Sequence, residues 1–222
     1  MNRGPLLFLG IFSILAFSWT GLVLTNQIST GQLVPHFDEA EGSIFPLGVP
    51  GVAERGRQVY RDLGCANCHT QQVRRPGYGS DQERGWGERQ SVARDYLREE
   101  PVMLGNIRIG PDLRNVGARR GDPYWHYLHF FDPRLVVDGS NMPSYRFLFE
   151  QRAIVGQPSP EALNLPAPYT VRAGYEVVPT ERARSLVVYL LNLKDTYAYP
   201  ETENVYKPAE PAPEPAATEE AP

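Results

Sequence analysis

The chain has 222 residues, a formal net charge of −4 at pH 7 and two cysteines. A net negative charge excludes a general nucleic-acid binder, which needs a strong basic excess. Two cysteines are too few for a secreted scaffold held by several disulfides, but they suffice for one bridge or one cofactor attachment.

The first predicted element is an apolar helix over residues 6–24. This segment carries no charged side chain, and at about 1.5 Å per residue it spans about 28 Å, close to the roughly 30 Å hydrocarbon core of a bilayer. A cleaved signal peptide is the alternative, but its apolar region has only about 7–15 residues, and no small-residue cleavage site follows here. We therefore predict a transmembrane helix after a cytoplasmic N-terminus at residues 1–5, because Arg3 favours that orientation.

A juxtamembrane linker is predicted for residues 25–50, and a single folded domain for residues 51–196. The domain opens with a short helix over residues 52–63, in which apolar side chains recur at helical spacing. Gly64 ends this helix, because glycine is favoured just beyond a helix C-terminus. The helix therefore leads the chain directly into the segment that contains both cysteines.

Cys65, Cys68 and His69 form the C-x-x-C-H pattern of covalent haem attachment. Two cysteines on one helical turn can each bond a vinyl group along one edge of the porphyrin, while the adjoining histidine turns a ring nitrogen to the iron. A redox dithiol would need a thioredoxin-like context, a zinc site would need further ligands, and a disulfide would leave His69 unexplained. We therefore predict one covalently bound haem c.

The iron of such a haem usually takes a second axial ligand, and methionine or histidine is the usual choice. The candidates after the motif are Met103, His126, His129 and Met142. Met142 is favoured because glycine, asparagine and Pro143 around it predict a turn, from which a flexible thioether can reach the haem. Met103 could equally fill the core. A methionine ligand predicts a relatively high redox potential.

The two histidines His126 and His129 lie in a short aromatic segment that is predicted to be a helix or a strand. At a spacing of three they would share one helical face, which is a metal-binding arrangement. The alternative is that one imidazole packs on the aromatic cluster while the other is hydrogen-bonded at the edge of the pocket. We favour this second interpretation.

Residues 70–178 are predicted to form a long insertion made mostly of loops, because glycine-rich turns interrupt the sequence. Ten arginines lie between residues 74 and 120. They are interpreted either as partners of the haem propionates or of another protein, or as part of a solvated face.

A closing helix is predicted after Thr180, a favourable N-cap, and its apolar stripe continues to residue 193. A disordered acidic tail is predicted for residues 197–222, because proline, alanine and glutamate dominate it without an apolar period. The net negative charge of the chain therefore comes from this tail, while the rest of the chain is close to neutral.

An opening helix before C-x-x-C-H and a closing amphipathic helix resemble the plan of class I cytochrome c. The predicted fold class is therefore mainly α, with a class I cytochrome c-like domain that carries a long loop-rich insertion and follows one N-terminal transmembrane helix. The chain as a whole resembles the mono-haem cytochrome c subunit, subunit II, of cbb3-type (C-type) haem-copper oxidases. The motifs that carry the resemblance are residues 64–71, 110–113, 116–117, 125–126, 129, 133–134 and 142–145.

The resemblance implies that Cys65 and Cys68 carry the thioethers and that His69 and Met142 are the axial ligands of the iron. It also implies that the carbonyl of Pro111 supports the His69 ring. The expected partners are a catalytic subunit with haem b and a haem-copper oxygen site, a further cytochrome c subunit and a cytochrome c donor. The expected place is the bacterial inner membrane, with the haem domain on the periplasmic side.

The function implied is a relay of single electrons to an oxidase that reduces oxygen to water in aerobic respiration, with no catalysis by the chain itself. Three alternatives stay open: the haem c subunit of a nitric oxide reductase, a membrane-tethered carrier without a fixed partner, and a small haem peroxidase. The histidines His126 and His129 together with Pro133 and Arg134 favour the oxidase over the nitric oxide reductase. A six-coordinate iron would argue against the peroxidase, because peroxide needs a vacant position.

Overall fold

The structure is a computed structural model that describes residues 3–202. It begins with one continuous helix, α1, Gly4–Gly31, whose middle portion Trp19–Leu24 is π-helical. An 18-residue stretch of this helix has a mean hydropathy of 2.1, and none of it is buried against the rest of the described chain. The helix is therefore long and apolar enough to cross a membrane. It continues through Thr25–Gly31, and the first residues of the predicted linker are therefore helical.

The remainder of the predicted linker forms a small hairpin. Its strands β1, His36–Asp38, and β2, Ser43–Phe45, pair antiparallel. Phe45 is only 3% exposed and stacks on the ring of Tyr197 with the centroids 4.1 Å apart. A linker between anchor and domain is thus packed onto the domain.

The predicted start of the disordered tail at residue 197 is wrong. Tyr197 and Tyr199 are 7% and 1% exposed, and their rings pack against each other and the hairpin. The chain then enters a short 3-10 turn at Pro200–Thr202. The physical reason is that the two tyrosine rings bury apolar surface against the domain. The prediction missed this because it was based on the average composition of the tail. The rest of the predicted tail, residues 203–222, lies outside the described residues.

The two helices predicted at the ends of the domain are confirmed as α2, Gly51–Asp62, and as the closing helix, Glu181–Asn192. They pack against each other more extensively than any other two elements of the described chain. A Cβ atom at Gly56 would lie 1.8 Å from the backbone oxygen of Ser185, so only glycine permits this approach. The side chains that the closing helix buries are Ala183, Ser185, Leu186, Val187, Tyr189 and Leu190.

The long insertion contains more regular structure than its glycine content predicts. It holds a single-turn helix α3, Val116–Arg119, and a helix α4, Pro123–Phe131. It also holds strand β3, Phe149–Ala153, which pairs antiparallel with β4, Tyr175–Pro179, just before the closing helix α5. Helix α4 packs on α5, so the insertion supplies part of the main core rather than only loops around it.

Candidate functional site

The cysteine motif lies on a tight turn directly after α2. Gly64 ends the helix with φ +70°, and Cys65–Asn67 then forms one 3-10 turn. The backbone N–H of His69 donates to the carbonyl of Cys65 at 3.0 Å, which fixes the histidine beside the two cysteines. Both cysteines are free thiols, and burial raises the pKa of Cys65 to about 12. Two sulfhydryl groups on one turn are thus available for bonding to a porphyrin edge.

The ring of His69 is oriented by one backbone carbonyl. Its Nδ1 lies 2.8 Å from the carbonyl oxygen of Pro111. A carbonyl can only accept, so Nδ1 carries the proton and donates, which leaves Nε2 as the unprotonated nitrogen. Burial lowers the pKa of His69 although this hydrogen bond opposes the shift. The ring is therefore neutral at pH 7 and presents Nε2 as an iron ligand.

The segment that carries this carbonyl passes directly over the imidazole. A Cβ atom at Gly110 would lie 2.2 Å from Cε1 of His69, and the backbone N–H of Gly110 donates to the carbonyl of Cys68 at 3.0 Å. A larger residue at this position would displace the ring. The glycine thus allows the chain to hold the imidazole between the cysteine turn and Pro111.

A buried carboxylate, Asp112, ties this segment to the chain that follows the motif. It accepts hydrogen bonds from the Thr70 hydroxyl at 2.6 Å and from the backbone N–H of Gln72 at 2.8 Å. Its other oxygen accepts from the backbone N–H of Arg114 at 2.9 Å. These bonds explain why an aspartate follows Pro111: it locks the loop whose carbonyl orients the His69 ring.

Several arginines of the basic segment form buried or partly buried ion pairs within the protein. Arg114 is 3% exposed and lies between two carboxylates. The interpretation as a solvated face is therefore wrong for Arg89, Arg108 and Arg114, whereas Arg74 is exposed although its partner Asp81 is buried. The side chains that form these pairs are Arg74 and Arg108 with Asp81, Arg89 with Asp95, and Arg114 with Glu99 and Asp195.

Met142 lies half-buried in a loop that one arginine holds. Nη1 of Arg134 donates to the carbonyls of Ser140 at 3.0 Å and of Met142 at 3.4 Å, and its Nη2 donates to the Ser144 hydroxyl at 3.2 Å. The guanidinium is itself held by Asp132, 3.1 Å from Nε. The loop conformation thus depends on a side chain that reaches across it.

The same loop lies close to the cysteine motif. Burial raises the pKa of Tyr145, and the nearby Cys65 and Cys68 raise it further. Met142, Tyr145 and Cys65 all pack against the main core. Met103, in contrast, is 7% exposed within the main core. This burial fits its interpretation as core filling.

The packing interpretation of the two histidines on α4 is confirmed. Nε2 of His126 lies 2.8 Å from the backbone oxygen of Arg120 and forms a hydrogen bond with it. The ring of His129 stacks on that of Trp125 at 4.7 Å with an interplanar angle of 12°. One imidazole is therefore hydrogen-bonded and the other packs on an aromatic ring.

The chemistry of this site fits a haem. Two free thiols can form thioethers, a neutral imidazole offers Nε2 to the iron, and the half-buried thioether of Met142 packs against the same core as Cys65. Nitrogen and sulfur of these types are the usual axial ligands of haem iron. Sequence reasoning identified these groups, but it missed Gly110 and Asp112 as the residues that hold the ring, although both lie in the motif of residues 110–113.

The sequence matches a family model described as "Cytochrome C oxidase, mono-heme subunit/FixO" over residues 5–185. The matched segment runs from α1 to the first turn of α5 and includes the cysteine motif and the Met142 loop. A comparison with curated proteins finds no match. Members of the family bind one haem and serve electron transfer within an oxidase complex. The chain belongs to the FixO family of mono-haem cytochrome c oxidase subunits.

Proposed function

We propose that the chain is a membrane-anchored c-type cytochrome that relays single electrons from a cytochrome c donor to the catalytic subunit of a terminal oxidase reducing oxygen to water. The observation that carries this proposal is the C-x-x-C-H turn with two free thiols and a histidine oriented by Pro111. When bound, the haem supplies a one-electron couple between ferric and ferrous iron. The protein supplies attachment, axial ligands and a fixed environment.

Cys65 and Cys68 are proposed to hold the porphyrin through two thioethers, and Nε2 of His69 to bind the iron. The packing of α2 against α5 directly before and after the haem-binding part supports a class I cytochrome c-like domain. The hydrogen bond from Nδ1 of His69 to Pro111 keeps the ring in one tautomer and one orientation. The same bond increases the basicity of the ligating nitrogen.

Met142 is proposed as the second axial ligand. Its side chain packs against the same core as Cys65, and the half-exposed side chain of Arg134 holds the loop. If His69 and Met142 both hold the iron, no position would be left for oxygen or peroxide. A site of this kind transfers electrons and does not bind substrate, which favours a relay over a peroxidase.

Helix α1 is proposed to anchor the subunit in the bacterial inner membrane, with the haem domain on the periplasmic side. The short segment before the helix contains Arg3, and a base on that side favours a cytoplasmic N-terminus. The side chains of α1 are exposed in the described chain, so lipid or the helices of other subunits are free to cover them. The proposed neighbours are the haem-copper catalytic subunit and a further cytochrome c subunit.

The proposal is tested on the complex purified from membranes. Haem staining of a denaturing gel should show haem on this chain, and the double variant Cys65→Ser, Cys68→Ser should lose it. Metal analysis should find copper at the oxygen site, and reduced cytochrome c should support oxygen consumption. Non-haem iron in place of copper would assign the chain to a nitric oxide reductase instead. Isolation of the chain alone in mild detergent would indicate a free carrier.

A further inference from the structure

The connection between the membrane helix and the domain with the cysteine motif is short and partly bonded. Only residues 32–35 lie between the end of helix α1 at Gly31 and strand β1, and four residues span at most about 14 Å. The backbone N–H of Leu33 donates to the carbonyl of Thr30 at 3.1 Å, so the chain continues to turn beyond the helix. A flexible linker behaves as a random coil, without such bonds. The connection is therefore not a free tether.

One arginine of the domain, Arg94, binds this connection. It lies in a 3-10 turn, Ala93–Tyr96, and its Nη1 donates to the backbone carbonyl of Val34. Its Nε donates to the carboxylate of Glu201 at 2.6 Å, in the segment of residues 197–202 that we call the C-terminal strap. The side chain of the arginine is only 17% exposed, and an ion pair shielded from water is stronger than one on an open surface. Arg94 thus joins the domain, the connection and the strap.

Two tyrosines of the C-terminal strap pack against the hairpin that follows the connection. Tyr197 stacks on Phe45 with the ring centroids 4.1 Å apart, and Tyr199 contacts the His36 ring edge to face at 5.8 Å. Because His36 and Phe45 are paired across the two strands, the tyrosines contact both strands at one position. The carbonyl of Tyr197 accepts from Nε of Arg89 at 2.6 Å, which ties the strap to the domain.

The 3-10 turn that binds the connection also contacts the chain beside the proposed iron ligand. The hydroxyl of Tyr96 donates to the backbone carbonyl of Gln71 at 2.8 Å, and Gln71 follows His69 by two positions. Asp95, in the same turn, forms an ion pair at 2.7 Å with Arg89, the residue that holds the strap. Consecutive residues of one turn therefore link the membrane side of the protein to the haem-binding side.

We propose that Arg94 and the C-terminal strap fix the haem domain on its membrane anchor, so that the haem has one orientation relative to the membrane and to the catalytic subunit. This inference rests on the proposed function, because the fixed orientation serves electron transfer from the haem. A domain on a free linker would occupy the productive orientation only part of the time, and the rate of transfer would fall by that fraction. Arg94 is a positioning residue that acts through the chain it holds and not on the iron.

The test is electron paramagnetic resonance of the low-spin ferric haem of this chain in oriented layers of membranes that contain the complex. In the unsubstituted complex the signals should depend sharply on the angle between the membrane and the magnetic field. Arg94→Gln should broaden this angular distribution. It should also slow the oxidation of the haem by the catalytic subunit about tenfold, as expected when the productive orientation is populated about one tenth of the time. The absorption spectrum and the midpoint potential should stay native, because the iron ligands do not change.

Arg98→Gln is the matched control, because Arg98 lies four positions further on, carries the same charge, is exposed and takes part in neither hydrogen bond. It should leave the orientation and the rate native. Glu201→Gln removes only the ionic partner of Arg94, and it should also broaden the distribution. This variant decides the question if Arg94→Gln does not assemble.

A native angular distribution and a native rate in the deciding variant would overturn the inference, and so would equal broadening in Arg98→Gln. Loss of the native absorption spectrum in Arg94→Gln would also overturn it, because the arginine would then support the haem site itself and not its orientation. Failure of the proposed function is distinguishable, since it would appear in the unsubstituted chain as the absence of covalent haem.

Discussion

The His69 side of the candidate site is held by backbone groups, whereas the Met142 side is held by charged side chains. The His69 ring is fixed by the carbonyl of Pro111 and by the close passage of Gly110. The Met142 loop is fixed by the guanidinium of Arg134, whose side chain is 51% exposed. The groups that hold the His69 ring are buried or belong to the backbone, whereas the guanidinium that holds the Met142 loop is half exposed.

In the proposed site, the His69 side therefore serves to attach the haem, whereas the Met142 side serves to tune its redox potential. The cysteine turn and the histidine need one fixed geometry, which the backbone contacts of Gly110 and Pro111 and the buried carboxylate of Asp112 supply. In the proposed site, Met142 is the ligand whose bond to iron influences the potential most directly, and a loop held by exposed ion pairs can alter that bond without unfolding the domain. Substitutions on the His69 side and on the Met142 side should therefore have effects that differ in kind as well as in size.

The largest effect is expected from Gly110→Ala. The added Cβ would meet the His69 ring at 2.2 Å, so the ring must move away from Pro111 or the segment must shift. Overpacking of this kind costs about 1–3 kcal/mol of folding free energy, and it displaces the axial nitrogen. The expected result is loss of the low-spin six-coordinate spectrum. Gly51→Ala is the control, because nothing lies within 4 Å of its added Cβ; equal spectra for the two variants would refute the close passage.

A smaller effect is expected from Arg134→Gln on the other side. The variant loses the hydrogen bonds to the carbonyls of Ser140 and Met142, which together contribute about 1 kcal/mol because the guanidinium is half exposed. The far-red absorption band of ferric iron bound to methionine sulfur should weaken but persist. Arg55→Gln, which removes an exposed pair with Glu181, should leave the band unchanged. A native band in Arg134→Gln would show that the loop does not depend on this arginine.

The smallest effect is a reversible response to acid. The hydroxyl of Tyr169 donates to Asp132 at 2.7 Å, and this bond, aided by Arg134 and Arg146, lowers the pKa of the carboxyl despite burial. An aspartate with a lowered pKa stabilises the fold above its ordinary value of about 4, and this contribution is lost as the pH falls through the lowered pKa. The methionine band should therefore weaken below about pH 4.

The variant Asp132→Asn is the control for this acid response. It should weaken the methionine band at neutral pH, because Arg134 loses its ionic partner, and it should remove the change below about pH 4. An unaltered acid response in Asp132→Asn would show that another group controls the loop. The hydrogen bond between His69 and Pro111 does not itself contain a carboxyl group.

Local sequence patterns predicted α2, α5 and the cysteine turn, because the spacing of apolar residues, a threonine N-cap and the C-x-x-C-H motif are each contained in a few consecutive positions. The hairpin of β3 and β4 was not predictable in the same way. Strand β3 buries only Phe149 and leaves the following residues exposed, so it has no apolar alternation to detect.

The partners of long-range ion pairs could not be predicted from the sequence either. Arg114 binds Asp195, 81 positions away, and a charge count cannot indicate which acid pairs with which arginine. Tyr197 and Tyr199 were assigned to the tail by composition, although two aromatic residues next to a proline-rich segment were a signal of burial. For the site, the motifs indicated the ligands, whereas the three-dimensional packing was needed to find the groups that hold them.

Ligation of the haem iron by His69 and Met142 is best tested with a pair of methionine variants. Met142→Ala should abolish the far-red band of the ferric protein and lower the midpoint potential by on the order of 100 mV, a part of the roughly 0.8 V range that axial ligands span. Met103→Ala should leave the band intact and lower only the stability, because this side chain is 7% exposed in the core. Loss of the band in Met103→Ala with a native band in Met142→Ala would contradict the claim.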